Sequence, residues 1–421
     1  MRKIGLKLLQ FYLRITASLF LLRYKPKIIG ITGSVGKSST KEAIYTVLSA
    51  KFKVRRSLSS YNNEIGVPLT IIGEESKGAH ILAWMVVFFK AIGNLIYDKD
   101  YPEVIVLEMG VDKPRDLEYL LSFIKPKIAV ITSIGAAHLE KMNSEQEIFK
   151  EKAKLVLTLP KKGVAILNFD DPRLRELGLQ IKNKVIFYGL SNQANMYASE
   201  IRHEMTGMTF NLNYAGSVIP VSITSLGVGQ VHAALAACSV ATILGMDVVS
   251  ASNELKKIKG LKGRLKLLSG KNETRILDDS YNSNPMSASS SLKAAAGIKE
   301  SLGANRLIAI LGNMLELGKT SRRAHINLGR EAAEMVDMVI AVGTEAKNIY
   351  SGAEENLSGS ALWFANSKVA AKKILAIIKP GDLILIKGSQ GDRMEKVSEV
   401  LLKNKSDIKH LPRMSGLWLN K

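Results

Sequence analysis

The stretch "KIIGITGSVGKSSTKEAI", Lys27 to Ile44, joins an apolar run to a glycine-rich turn and then to helix-like sequence. Gly33 and Gly36 allow a tight turn that brings the backbone close to an anion, with Ser34 inside the same loop. Lys37 can reach outer phosphates and the Ser38 hydroxyl can ligate magnesium. Ser39 opens the helix, whose first N–H groups point back at the loop. The spacing is a short G-x-x-G-K-S, with Ile31 where the longer phosphate loop has another glycine. A plain strand–helix turn with a solvated lysine is the competing reading. The flanking strand and helix favour nucleotide binding.

Outward from this loop, the pattern of an apolar run followed by helix-like sequence recurs. It appears at "EVIVLEMG" (103–110), "KIAVITSIG" (127–135) and "GVAILNFDD" (163–171). Near-continuous apolar strands alternating with helices predict an α/β fold, a parallel sheet covered on both faces. Between about 197 and 226 the sequence alternates and predicts antiparallel strands. "VHAALAACSVATILG" (231–245) predicts a small-residue helix. "KGLKGR" (259–264) reads as a linker, after which "RLIAILG", "VDMVIAVG" and "DLILIKGS" restart the pattern in a second α/β domain.

The chain has 421 residues, a formal charge of +21 and one cysteine, Cys238, so an internal disulfide is excluded. Its cations are scattered and aromatics make up 6%, which points to an anionic small molecule or membrane face rather than nucleic acid. Two apolar segments, Ile4–Leu22 and Ile81–Tyr97, contain Lys7, Arg14 and Lys90. Internal cations disfavour membrane spanning. Interfacial helices, or helices packed on the protein or on a partner subunit, are the open readings.

Glu108 closes the strand "VIVLE", at the sheet edge where such folds bind ligands, and can hold Mg²⁺ between phosphates. A capping or surface acid is equally consistent with that position. His138, in "TSIGAAHLE", and Lys152, in a helical stretch, stand out little from the residues alone. "ILDDSYNSNP" (276–285), "LGNMLELG" (311–318) and "KGSQGDRMEKV" (387–397) place polar loops after strands.

Taken in order, "GITGSVGKSSTKEAI", "NNEIGVPLT" (62–70), "VLEMG", "AHLE", "LDDSYNSNP", "GNMLELG" and "KGS" resemble the Mur ligase family. The resemblance implies an apolar N-terminal helix (1–26), a central ATPase domain (27–262) and a C-terminal Rossmann-like domain (263–421). It implies ATP and Mg²⁺ as cofactors. Lys37, Ser38 and Glu108 would serve phosphate and metal, His138 a second metal, and Lys152 would carry the family's carbamate. Asp279, Tyr281, Asn282, Asn313 and His325 would lie near the nucleotide. Asn62, Asn63, Arg264, Lys387, Ser389 and Glu395 would lie near the substrates.

The expected activity is ligation of D-alanyl-D-alanine to a UDP-N-acetylmuramoyl-tripeptide through an acyl phosphate, in peptidoglycan precursor synthesis in the cytoplasm. Ligation to another carboxylate acceptor, or a non-ligating nucleotide-binding scaffold at the membrane, are the alternatives. Only 26 residues precede the first strand, too few for the family's UDP-binding domain. The expectation is that a membrane or partner protein takes that role. Gln230 and Ala233 stand where the family carries Asn and His, and Asn313 where Asp is common.

Overall fold

The computed structural model describes residues 3–58, 60–78, 80–136, 139–204 and 206–414. Over these residues the chain builds two sheets, with helices on both faces of their parallel strands. The first contains β1 (Lys27–Thr32), β2 (Val54–Arg56), β3 (Val104–Glu108), β4 (Ile128–Ile131), β5 (Val164–Asn168), β6 (Lys184–Gly189), β7 (Met196–Glu204), β8 (Gly207–Tyr214) and β9 (Ser217–Ile223). Their order is β2-β3-β1-β4-β5-β6-β7-β8-β9. Neighbours are parallel as far as β7, and β7–β8 and β8–β9 are antiparallel. The expected hairpin region is thus an antiparallel extension on one edge.

The apolar runs of β1, β3 and β4 are buried almost end to end because helices shield both faces. On one face, the helix Val228–Ile243 lies against α2 (Lys37–Leu48), and its alanines 233, 234, 236 and 237 are buried in that core. The other face is covered in part by α3 (Gly66–Ile72), α1 (Lys3–Tyr24) and α4 (Ile81–Tyr97). Leu13, Ala17 and Phe20 of α1 are fully buried there, so the N-terminal helix is an integral part of the first core.

The second sheet contains β10 (Lys266–Ser269), β11 (Arg275–Asp279), β12 (Arg306–Gly312), β13 (Met338–Val342), β14 (Ala361–Phe364) and β15 (Asp382–Lys387), in the order β10-β11-β15-β12-β13-β14. Only the β10–β11 pairing is antiparallel. The two halves touch beside the glycine-rich loop. Glu140 N–H donates to Glu316 O at 3.1 Å, and a Cβ built on Gly135 would strike Met286.

Candidate active site

β1 sits where the strand order reverses, with β3 on one side and β4 on the other. In such sheets the crevice beyond the strand ends at this reversal is where ligands bind. The loop leaving β1 enters α2 through Gly36, whose φ of 87° is left-handed. Its floor is the end of β4. Ser34 N–H donates to Ser133 O (2.9 Å), Val35 N–H to Ser133 Oγ (3.0 Å), and the Thr132 hydroxyl to Val35 O (2.5 Å). Ser34 Oγ donates in turn to Gly135 O (2.9 Å).

Gly33 has φ 150°, and an added Cβ would strike Thr132 Oγ1. Rotating that hydroxyl away would forfeit its bond to Val35. Gly33→Ala is therefore expected to raise the KM for ATP about tenfold or more, with the sheet intact. Nucleotide titration alongside a circular-dichroism melt checks this.

Lys37 Nζ donates to Gly33 O at 2.6 Å, folding the ammonium over the loop. Burial pulls its pKa below the ordinary value, and nearby Glu108 opposes that shift. Ser38 Oγ donates to Glu108 Oε2 at 3.0 Å. Glu108 is 6% exposed, and its backbone N–H donates to Ser57 Oγ at 3.2 Å. The even choice between a surface acid and a loop partner is thus decided by position: parallel pairing sets Ile31 beside Glu108.

Sequence reading passed over Lys41. It is buried one turn beyond Lys37, with Nζ 3.6 Å from Glu108 Oε2 and 3.5 Å from Glu42 Oε1. Its i+4 spacing from Lys37 was the available signal. Ser39 accepts from Gln230 Nε2 (3.1 Å), so the glutamine that departs from the family pattern braces the start of α2.

Lys152, on the helix Glu145–Leu157, is 1% exposed. Burial, and then the charge of Lys37, hold its pKa well below the ordinary value, which favours the neutral amine. His138 lies outside the described residues. Asn62 and Asn63 border a polar cavity of about 190 Å³ that also holds Gly110, Asp112, Lys113 and Lys141. Asn62 O accepts from Gly110 N–H (2.7 Å), whereas the Asn63 side chain is used to cap α3, accepting from Gly66 N–H (2.9 Å).

In the second half, several of the expected site residues have partners within the protein. Lys387, 1% exposed, donates to Asp279 Oδ2 (2.6 Å) and to Asn282 O (3.1 Å). Asp279 also accepts from Ser291 Oγ (2.5 Å). Lys387 and Asp279 form a buried ion pair where β11 and β15 run side by side. His325 is fully buried. Its Nε2 accepts from Met314 N–H (2.9 Å) in the loop after β12, while Nδ1 sits 2.7 Å from Ser321 O in the first turn of its own helix, so the ring ties that loop to the helix.

Asn313 Nδ2 donates to Asp392 Oδ1 (2.6 Å), and Asn313 Oδ1 accepts from Ala346 N–H (2.8 Å). Ser389 Oγ accepts from Leu315 N–H (2.9 Å). Glu395 is fully buried between Arg393 and Arg413. Burial pushes its pKa up, but the two guanidiniums outweigh this and hold it low. These six side chains are hydrogen-bonded or ion-paired inside the second half, as buried polar groups require. Tyr281 and Asn282 are closer to solvent, and Arg264 stacks 4.5 Å over the Tyr281 ring. Arg264 also lowers the pKa of Lys37, which puts this linker residue within electrostatic reach of the phosphate loop. Between the halves lies a cleft of about 280 Å³, lined by Ala136, Leu139 and Glu145 on one side and Pro285, Arg323 and Glu331 on the other.

Residues 31–84 and 94–241 match the Mur ligase middle domain, and 263–390 match the Mur ligase glutamate ligase domain. The UDP-N-acetylmuramoyl-tripeptide–D-alanyl-D-alanine ligase of Bacillus subtilis (strain 168) is 28% identical over 395 residues, 92% of this chain and 78% of that protein. The crystal structure of MurF from Acinetobacter baumannii is similar at a TM-score of 0.79 and 25% identity, covering 94% of this chain and 81% of that one. The MurF ligase from Thermotoga maritima in complex with ADP is similar at 0.78 and 25%, covering 95% and 84%. Both family domains occur in order around a phosphate loop and its carboxylate, so the chain belongs to the Mur ligase family and is an ATP-dependent carboxylate–amine ligase.

Proposed function

We propose that the protein joins D-alanyl-D-alanine to the peptide carboxylate of UDP-N-acetylmuramoyl-tripeptide, consuming ATP, in cytoplasmic synthesis of the peptidoglycan precursor. The observation that carries this reading is the Ser38–Glu108 pair beneath the phosphate loop, in a chain alike over 92% of its length to a ligase of that name.

The N–H groups from Gly36 to Ser39, at the start of α2, cradle the ATP phosphates, and the Lys37 ammonium meets the charge gathering on the transferred group. Ser38 and Glu108 offer two hard oxygen donors 3.0 Å apart, which fits Mg²⁺. When bound, the ion would neutralise phosphate charge. Lys41, 3.6 Å from Glu108 Oε2, helps hold that carboxylate beside Ser38. Burial favours the neutral form of the Lys152 amine, which would combine with CO₂ and release a proton to give a carbamate; that carbamate and His138 would hold a second ion.

A peptide carboxylate oxygen bonds to the γ-phosphorus as the bond to ADP breaks. The dipeptide amine then bonds to the acyl carbon, loses a proton and displaces phosphate. Lys113 and Lys141, at the polar cavity beside Asn62, suit an anionic acceptor. The cleft between the halves is assigned to the amine donor, where apposition of the halves keeps water from the acyl phosphate.

Phosphate release from ATP and Mg²⁺, with both substrates supplied and the product identified by mass, tests this reading. Release that depends on both substrates, with a pentapeptide product, is expected. Release with a different carboxylate acceptor only, or ATP binding without release, overturns it.

A further inference from the structure

Helices α1 and α4 each carry two apolar faces, and the fold uses one. On α1, Leu9, Leu13, Ala17 and Phe20 enter the core, while Leu8, Phe11, Ile15, Leu19 and Leu22 form a second stripe that is 41–70% exposed. Both sets repeat at three- and four-residue steps, so they line opposite sides of one helix. On α4, Trp84, Val87 and Ala91 are buried. Leu82, Met85, Val86, Phe89, Ile92 and Ile96 are 51–78% exposed.

The two helices lie against each other. Tyr24 Oη donates to Asn94 O (2.7 Å), Arg23 Nη2 to Ile96 O (3.0 Å), and the Tyr12 and Phe88 rings meet edge-on at 6.1 Å. Fourteen of the 23 large exposed hydrophobics among the described residues lie on this pair, which makes a patch rather than scattered exposure.

We propose that this patch seats on the surface of an anionic lipid bilayer, with both helices lying in the plane of the headgroups. Charge selects this occupant. Neither helix contains Asp or Glu, Lys7, Arg23 and Lys90 are exposed on them, and the whole chain carries +21. Apolar stripes edged by cations are the signature of interfacial helices that bind acidic lipid. A second copy fits poorly, because a two-fold contact would bring the same cationic edges together.

Spanning fits no better. α1 is long and apolar enough to cross a bilayer, but that would pull Leu13, Ala17 and Phe20 out of the core and carry Lys7 and Arg14 into hydrocarbon. The attachment is independent of the ligase reading.

The test is flotation of the full chain with vesicles of phosphatidylglycerol and phosphatidylcholine, and with phosphatidylcholine alone. A Phe11→Asp/Phe89→Asp variant is run beside it. These side chains are 56% and 70% exposed, so the folded core is not touched, and an unchanged thermal melt checks that. The expected result is flotation with the anionic vesicles, reduced at least tenfold in the variant and at least fivefold on neutral vesicles. Wild-type protein that stays at the bottom of the gradient overturns the proposal. So does an oligomer that the variant dissociates, which would identify a second copy as the occupant. Equal flotation on both vesicle types overturns the anionic assignment.

Discussion

Lys37→Ala is expected to lower kcat about 10³-fold while the fold stays intact. The side chain leaves the helix start and bends back to Gly33 O at 2.6 Å, so its amine lies over the loop proposed to hold the phosphates. Burial has already stripped much of its water, which strengthens its attraction for a phosphate beyond that of a surface lysine. Removing it takes away stabilisation that grows as the phosphoryl group transfers, so kcat should fall more than the affinity for ATP. Single-turnover measurement of phosphate release, with separate nucleotide titration, distinguishes the two. Equal losses in both would show that Lys37 only binds ATP.

Lys152→Met is expected to separate activity from stability. Activity should fall on the order of 10²-fold, because no carbamate can form at that position. The nucleotide-free protein should nevertheless become more stable by about 1–2 kcal/mol, since an amine that pays for desolvation is replaced by an apolar chain of similar length. The pH dependence has a definite sign. Lys152 binds its proton less readily when folded than when unfolded, so its cost is largest at low pH and fades as pH rises toward the ordinary lysine value of 10.5. The stability gap between variant and wild type should therefore narrow from pH 7 to pH 10. Denaturant melts across that range measure it. A gap that is reversed at pH 7 would mean that Lys152 is held by an ion pair and not kept neutral. Bicarbonate added to CO₂-depleted buffer should raise wild-type activity and leave the variant unmoved.

Strand and loop chemistry was readable because it is local. Within Lys27–Thr32, residues 28–31 form a continuous apolar run, and the turn after it needs glycine at Gly36 for backbone reasons alone. The roles in the second domain were not readable in the same way. Lys387 and Asp279 lie 108 positions apart and meet because β11 and β15 pair. His325 looks like any helical histidine until the loop after β12 brings Met314 N–H onto its Nε2. A polar residue at the end of a strand has the same sequence signature whether it faces a ligand or closes a loop. Only its partners tell the two apart.

By itself, the sequence determined the alternation of strands and helices, the phosphate loop, and the apolar content of the two N-terminal helical segments. Each depends on neighbours within a turn or two of the chain. The tertiary structure decided which carboxylate faces Ser38, which lysine steadies it, and which polar residues are used up inside the second domain. It also decided that α1 and α4 bury only one of their two apolar faces. Burial and pairing depend on what lies opposite in space, and that is a property of the sheet order and of the packing of the helices on it.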